Sequence, residues 1–231
     1  RTRFAGYMTH ALTATGAALG FLSLMAVIGG DLVKAFVWLG VALVVDAIDG
    51  PIARRLSVKE NAPRYDGAVL DLVVDFVTYV FVPASMIIWG GLIPGTLGLV
   101  AALAIIVGSA LYFADTRMKT EDWWFLGFPA VWNIVVLYLA VFPLQAWIGF
   151  IIVMIAVALM FLPFPFVHPI RVTRWRALTI GMLVVWCVAA VLTVYLSFKP
   201  GTAIEGALIV TAIYFLGLGF TRKLDSGPLS A

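Results

Sequence analysis

Four aspartates stand in two evenly spaced pairs within a chain that is otherwise apolar. In the stretch DAIDGPIARRLSVKENAPRYDGAVLDLVVD, residues 46–75, Asp46 precedes Asp49 by one helical turn, and Asp71 precedes Asp75 by another. Residues three or four apart share one face of a helix, so each pair presents two carboxylates to the same side. Carboxylate oxygens are hard ligands that suit Mg²⁺ or Mn²⁺. The spacing therefore predicts an acidic site between two neighbouring helices.

The apolar setting of these carboxylates argues that they bind cations. Each Asp near the centre of a membrane helix costs about 2.5 to 3.5 kcal/mol, so four cost roughly 10 to 14 kcal/mol, and their mutual repulsion adds to this. Neither helix carries a Lys or Arg at the same depth. Two divalent cations, Mn²⁺ or Mg²⁺, would balance the four charges. The alternatives are packing hydrogen bonds within the membrane and the cation site of a transporter.

Small residues and one arginine accompany the aspartates. Gly50 and Ala53 continue the acidic face of the first helix, and Gly67 does the same on the second. They predict a cleft in which a phosphorylated group can approach the helix backbone. Arg54, one turn beyond Gly50, can meet a phosphate there. Divalent metals, an arginine and a glycine-lined cleft are typical of phosphoryl transfer.

The elements that position these residues are apolar helices. Of 231 residues, 63% are hydrophobic and 12% are charged, and the mean hydropathy is +1.08. This composition excludes an ordinary soluble domain and indicates an all-α integral membrane protein. We predict about eight membrane-spanning segments, with boundaries good to about three residues. They are 9–29, 32–54, 66–89, 95–115, 127–142, 145–163, 177–197 and 202–220.

Basic residues are distributed unequally between alternate connections. All but two of the 15 Lys and Arg residues fall on one predicted side, and the exceptions are Lys34 and Lys199. The positive-inside rule then places both termini and the acidic loop in the cytoplasm. The basic aromatic stretches 1–8 and 164–176 suit the headgroup layer, so we expect an N-terminal amphipathic segment; ordinary positive flanks are the alternative. The single Cys187 excludes a disulfide framework.

The acidic segment resembles the signature of the CDP-alcohol phosphotransferases, integral membrane enzymes of phospholipid synthesis. That signature is D-x-x-D-G-x-x-A-R…G-x-x-x-D-x-x-x-D. All of its fixed positions are filled here, by Asp46, Asp49, Gly50, Ala53, Arg54, Gly67, Asp71 and Asp75. The spacer 55–66 is longer than is usual in the family, and the predicted spans are more numerous. Both features are similar to the bacterial branch that forms phosphatidylcholine, as are the stretches HALTATGAALGFL, DTRMKTEDWWFLGFPAVWN and HPIRVTRWR.

The resemblance implies an enzyme of the bacterial inner membrane that transfers the phosphatidyl group of CDP-diacylglycerol to choline and releases CMP. It implies that Asp46, Asp49, Asp71 and Asp75 hold two divalent cations. Asp75 would also be the general base that removes the proton of the choline hydroxyl, which attacks the β-phosphorus. The resemblance further implies a single membrane domain, 1–231, with a core over about 9–163 and additional helices over about 177–220. Relatives commonly form homodimers, and no nucleic-acid partner is expected.

Further residues would hold the CDP-lipid, according to the same resemblance. Gly50, Ala53 and Gly67 would shape the nucleotide cleft, and Arg54 would hold the charge of the leaving CMP. In relatives an Asn, and a Thr three residues later, help to hold the CDP group early in the first span. His10 and Thr13 have that spacing here, although His10 is not Asn. A packing role for His10 at the membrane interface is the alternative.

The choline acceptor has a quaternary ammonium that donates no hydrogen bond, so aromatic faces or a carboxylate must hold it. The predicted cytoplasmic segment 115–133 is rich in both, and its candidate pocket residues are Asp122, Trp123, Trp124, Phe128 and Trp132. A tryptophan belt at the membrane interface is the alternative. Arg117 and Lys119 can meet a lipid phosphate or flank a span. A further alternative is that the acceptor is not choline but serine, inositol or glycerol phosphate.

Overall fold

The computed structural model describes residues 2–115, 124–166 and 175–221, and these ranges are mostly helical. The helices are α1 (Thr2–Ile28), α2 (Leu32–Arg55), α3 (Val58–Asn61), α4 (Gly67–Asp75), α5 (Val82–Trp89), α6 (Gly95–Ala114), α7 (Trp132–Val141), α8 (Ala146–Leu159), α9 (Arg176–Tyr195) and α10 (Thr202–Leu218). A π-helical segment, Phe76–Phe81, joins α4 to α5, and a 3₁₀ turn, Gly219–Thr221, follows α10. The prediction of a helical membrane protein is confirmed.

Four stretches of the described residues are long and apolar enough to cross a membrane: Arg3–Ile28, Gly67–Trp89, Gly95–Ala114 and Arg176–Tyr195. The helices α7, α8 and α10 are also apolar but shorter. Each of the eight predicted segments contains a helix. That all eight cross the bilayer, and that both termini lie in the cytoplasm, stay predictions.

The predicted amphipathic segment at the N-terminus is not a separate element. It forms the beginning of α1, which runs from Thr2 without a break into the first span. Within it, Thr9 Oγ1 donates a hydrogen bond to the carbonyl of Ala5, at 3.0 Å. The basic aromatic residues therefore extend the membrane helix by about two turns.

The described residues group into two compact units. Of the described residues, the first comprises 2–113 and 130–155, and the second comprises 114–115, 124–129, 156–166 and 175–221. All eight positions of the acidic signature lie in the first unit. The single membrane domain of the sequence analysis stays a prediction.

In the first unit, α1 is the common packing partner of the acidic helices. It packs against α2, α3, α4, the π segment and α5, whereas α2 and α4 make few direct contacts with each other. A buried hydrogen bond from Ser23 Oγ to the carbonyl of Ala35, at 2.8 Å, joins α1 to α2. The two acidic helices are thus held in place through α1 and leave a gap between their acidic faces.

Two glycines of α1 allow α4 and the π segment to approach closely. Gly16 and Gly20 lie one turn apart and are buried. A Cβ at Gly16 would stand only 2.5 Å from Val74 Cγ1, and one at Gly20 would stand 2.7 Å from Val77 Cγ1. Paired small residues of this kind let membrane helices pack backbone against side chain.

The inward face of α2 leads directly into the acidic site. Ala35, Leu39 and Ala42 are buried, and continuing the same helical spacing reaches Asp46 and the buried Asp49. Positions at i, i+4, i+7, i+11 and i+14 share one face of a helix. The stripe that packs the apolar half of the helix therefore also aims the two carboxylates inward.

Aspartates cap the two acidic helices. Asp31 Oδ1 accepts a hydrogen bond from the Lys34 amide at 2.9 Å, before α2. Asp66 Oδ1 accepts hydrogen bonds from the amides of Ala68 and Val69, at 2.9 and 3.3 Å, before α4. These carboxylates satisfy amides at the helix ends and are not part of the acidic cluster.

Removal of the cap at Asp66 should destabilise the fold without touching the site. We expect Asp66→Ala to lower the free energy of unfolding by about 1 kcal/mol, because the Ala68 and Val69 amides lose their acceptor. Asp66→Asn should be nearly neutral, since Asn caps helices as well as Asp does. Thermal unfolding of both variants in the same detergent measures the difference. Equal melting temperatures for the two would contradict this role.

The second unit contains two short strands that the all-α prediction did not include. β1 (Phe125–Leu126) pairs antiparallel with β2 (Pro165–Phe166). Gly127 follows β1 with φ +80°, and its amide donates to the Phe164 carbonyl at 2.9 Å. Glycine adopts this left-handed conformation without a steric penalty, which explains why the chain turns here before α7.

Helices α9 and α10 of the second unit are joined by polar and aromatic contacts. Thr179 Oγ1 and Tyr214 Oη share a hydrogen bond of 2.8 Å across the pair. Trp124 is buried with Leu218, and Tyr214 and Phe215 pack against them. The described part of the choline segment in this unit is therefore anchored on α10.

Candidate active site

Three of the four predicted metal ligands converge in the first unit. Asp46, Asp49 and Asp71 each offer a carboxylate oxygen, and these oxygens lie within 4.8 Å of one another. Asp49 is only 6% exposed, and the other two are partly buried. Oxygens on opposite sides of one Mg²⁺, at about 2.1 Å each, stand about 4.2 Å apart. The three carboxylates are thus close enough together to hold one ion, and their hard oxygens fit a divalent cation.

Asp75 lies beside this cluster rather than in it. It is the last residue of α4, one turn beyond Asp71, and the π segment begins at the next residue. The side chain is partly buried, and its Oδ1 is inaccessible to solvent. The position suits a group that acts at the edge of the cluster, and the assignment of Asp75 as ligand and base stays a prediction.

A small cavity opens between α1, α2 and α4 at the acidic cluster. Its lining residues are Thr13, Gly16, Ala42, Val45, Asp46, Asp49, Asp71, Val74 and Thr78. Thr13, predicted from the family resemblance to help hold the CDP group, is thus placed on the same cavity as the three converging aspartates. Its Oγ1 donates to the Thr9 carbonyl at 3.3 Å, which keeps the hydroxyl oxygen available as an acceptor.

The arginine of the signature lies over the glycine that precedes it by one turn. A Cβ added at Gly50 would stand 3.4 Å from Arg54 Nη1. Arg54 is exposed, and Ala53 beside it is partly buried. The absence of a side chain at position 50 therefore lets the guanidinium fold back along α2 toward the acidic cluster. This geometry is consistent with the predicted contact between Arg54 and a phosphate.

His10 lies next to Gly67, although the two are far apart in the sequence. A Cβ at Gly67 would stand 3.2 Å from His10 Cε1. His10 is buried, its Nε2 is 3.3 Å from the carbonyl of Ala62, and its ring meets that of Tyr65 edge to face at 5.8 Å. These contacts give His10 a packing role on the connection between α2 and α4. A contact between His10 and the CDP group stays a prediction.

The predicted choline residues fall in different surroundings. Trp132 has no exposed surface, and its Nε1 donates to Ser109 Oγ at 2.8 Å in the first unit. Trp124 is 4% exposed in the second unit. Phe128, also in the second unit, is partly buried and meets Phe166 edge to face at 5.9 Å.

The described choline candidates differ in how accessible their aromatic rings are to a ligand. The burial of Trp132 and its hydrogen bond to Ser109 indicate a packing role. Among the three described candidates, Phe128 has the most accessible ring. Asp122 and Trp123 lie outside the described residues, as do Arg117 and Lys119. The choline assignment of all five candidates stays a prediction.

The structure adds Tyr79 to the residues at the acidic cluster. Tyr79 Oη donates a hydrogen bond to Asp46 Oδ2 at 2.9 Å. The sequence analysis did not name Tyr79, although a signal was present. Asp71, Asp75 and Tyr79 are spaced i, i+4 and i+8, so a helical reading extended by one turn places the phenol on the acidic face.

No family model matches the chain. It is 45% identical over 212 residues to the phosphatidylcholine synthase of Bradyrhizobium diazoefficiens, which covers 92% of this chain and 79% of that protein. Identity to the phosphatidylcholine synthase of Rhizobium meliloti is 43% over 218 residues, covering 94% and 90%. The phosphatidylcholine synthase of Pseudomonas aeruginosa is 37% identical over 214 residues, covering 93% and 90%. Because these similarities span nearly the whole chain and agree with its acidic signature, the chain belongs to the phosphatidylcholine synthase family.

Proposed function

We propose that this protein transfers the phosphatidyl group of CDP-diacylglycerol to choline, giving phosphatidylcholine and CMP. The observation that carries the proposal is the convergence of Asp46, Asp49 and Asp71 in a chain of the phosphatidylcholine synthase family. The cluster supplies the ligands that phosphoryl transfer requires, and the family supplies the choice of lipid donor and acceptor.

Asp46, Asp49 and Asp71, together with Asp75, would hold two divalent cations, Mn²⁺ or Mg²⁺. When bound, such ions neutralise the phosphates of the CDP-lipid and the charge that develops on the leaving CMP. Without cations, the four carboxylates would repel one another in an apolar setting. The donor set therefore also explains how these residues are tolerated within membrane helices.

The remaining residues of the signature would bind and orient the substrates. Asp75 would accept the proton of the choline hydroxyl, whose oxygen forms a bond to the β-phosphorus. The bond from that phosphorus to the oxygen of CMP then breaks, and CMP leaves with the electron pair. Arg54 would hold the phosphate of the departing CMP by charge-assisted hydrogen bonds, and the bare backbone at Gly50 would let it approach.

We infer a location in the bacterial inner membrane with the active site facing the cytoplasm. The concentration of basic residues in the connections on one side supports this orientation, and Arg54 lies at that end of α2. The site would then meet choline from the cytoplasm and CDP-diacylglycerol from the bilayer. A homodimer is proposed from the family resemblance alone.

Release of CMP by purified protein tests the proposed activity. The protein is placed in lipid nanodiscs with CDP-diacylglycerol and Mn²⁺, and choline, serine, inositol or glycerol phosphate is added separately. We expect CMP to appear with choline and to stop when EDTA removes the metal. Release with serine, inositol or glycerol phosphate but not with choline would assign another acceptor. Ion flux into sealed proteoliposomes, with no release of CMP in the nanodisc assay, would favour a transporter.

Phe128 is the sharpest probe of the choline pocket, because it is the least buried of the described candidates. We expect Phe128→Ala to raise the choline KM about 2- to 30-fold, which corresponds to the loss of one cation–π contact of about 0.5 to 2 kcal/mol. The KM for CDP-diacylglycerol should not change. Phe161→Ala, which removes an exposed ring from the same unit, is the control. An unchanged choline KM would remove Phe128 from the pocket.

A further inference from the structure

The hydrogen bond between Tyr79 and Asp46 has a role beyond packing. We propose that Tyr79 is a positioning residue that fixes the Asp46 carboxylate for metal binding. The inference rests on the metal site of the proposed function and deepens it. It starts from the 2.9 Å distance between Tyr79 Oη and Asp46 Oδ2, which joins the π segment to α2 across the acidic gap.

Tyr79 lies within the π segment, Phe76–Phe81. This segment begins directly after Asp75, and the Val82 amide donates to the Val77 carbonyl, five residues earlier. A π turn takes up an additional residue compared with an α turn and changes the direction of the side chains that follow. Such turns occur preferentially at functional sites. Here the irregular turn holds the side chain that spans the gap between the two acidic helices.

The phenol is chemically suited to a cluster of carboxylates. Tyr79 donates a hydrogen bond to Asp46, which belongs to the cluster with Asp49 and Asp71. A neutral hydroxyl orients a carboxylate without cancelling its charge, so the charge stays available to a cation. A Lys or Arg at position 79 would form an ion pair and compete with the metal. Groups that orient ligands in this way typically contribute 10- to 100-fold to metal affinity.

If Tyr79 had a purely structural role, removing its hydroxyl would have a different consequence. In that case the hydrogen bond would only hold the π segment against α2, and its loss would lower stability without affecting the cation. The two roles are separable, because metal affinity and metal-free stability are measured independently on the same purified protein.

The test compares Tyr79→Phe with the wild type in the absence of substrate. Titration with Mn²⁺, followed by the electron paramagnetic resonance of free Mn²⁺, gives the dissociation constant. We expect it to rise about 10- to 100-fold in Tyr79→Phe. The metal-free melting temperature should change by only a few degrees. Activity should recover toward the wild-type rate when Mn²⁺ is raised to saturation, since the ligands themselves are intact.

Tyr214→Phe is the matched control. It removes a tyrosine hydroxyl from a hydrogen bond of 2.8 Å between two helices, in which the partner is the hydroxyl of Thr179 and not a carboxylate. Its Mn²⁺ affinity should equal that of the wild type. An equal affinity in Tyr79→Phe would overturn the inference, whether or not its metal-free melting temperature falls. Failure of the wild type to bind Mn²⁺ would overturn the metal site of the proposed function itself.

Discussion

Asp75→Asn is expected to lower turnover by a factor of roughly 10² to 10⁴, the usual contribution of a general base. Asn keeps the size of the side chain but cannot accept the proton of the choline hydroxyl. Because Asp75 lies one turn beyond the three converging carboxylates, the variant should retain most of its metal-dependent affinity for CDP-diacylglycerol. Turnover should thus fall much further than binding.

Steady-state release of CMP and equilibrium binding of CDP-diacylglycerol with Mn²⁺ measure the two effects. Asp66→Asn is the control, because it makes the same chemical change at a residue that caps the beginning of α4 and is not part of the acidic cluster. We expect the control to match the wild type in both measurements. Parallel losses of binding and turnover in Asp75→Asn would argue against the role of Asp75 as the base.

Asp49→Asn should have opposite effects on activity and on metal-free stability. Asp49 is the most buried carboxylate of the cluster. Its replacement removes a metal ligand, so CMP release should fall at least 100-fold, beyond the usual effect of losing a residue that only supports a ligand. In the absence of metal, the same change removes a buried negative charge and its repulsion of Asp46 and Asp71, so the protein should melt at a higher temperature.

Melting curves with EDTA and with Mn²⁺ separate these contributions. We expect Mn²⁺ to raise the melting temperature of the wild type and to have little effect on Asp49→Asn, because a ligand stabilises only the state that binds it. Asp31→Asn, at the cap of the same helix, should respond to Mn²⁺ as the wild type does. A metal-free Asp49→Asn that melts lower than the wild type would show that the carboxylate stabilises the fold by itself.

Much of the acidic site follows from local spacing. The face that joins Ala42, Asp46 and Asp49 is set by the helical repeat, which the sequence shows directly. The same holds for the place of Asp71 on α4, and the apolar runs show where the helices lie. The convergence of Asp71 with Asp46 and Asp49 is also expected from the short connection between the helices, since residues on either side of a brief loop are neighbours.

Other features depend on contacts that no short stretch contains. Gly16 and Gly20 look like ordinary small residues of a span until α4 is packed against them. The segment after Asp75 is π-helical, and the spacing of apolar residues predicts only a regular helix there. Trp132 belongs to an aromatic-rich stretch, yet its side chain is buried and donates a hydrogen bond to Ser109 on α6.

Because both acidic helices rest on α1, we expect the acidic site to assemble in the order in which the chain is synthesised. α1 precedes α2 and α4 in the chain, so its packing surface exists before either partner emerges from the ribosome. Membrane-inserted segments can then dock in sequence, and every proposed cation ligand is present once residue 75 has been made. The N-terminal third of the polypeptide should therefore acquire cation-dependent protection from proteolysis while the remaining helices are still being translated.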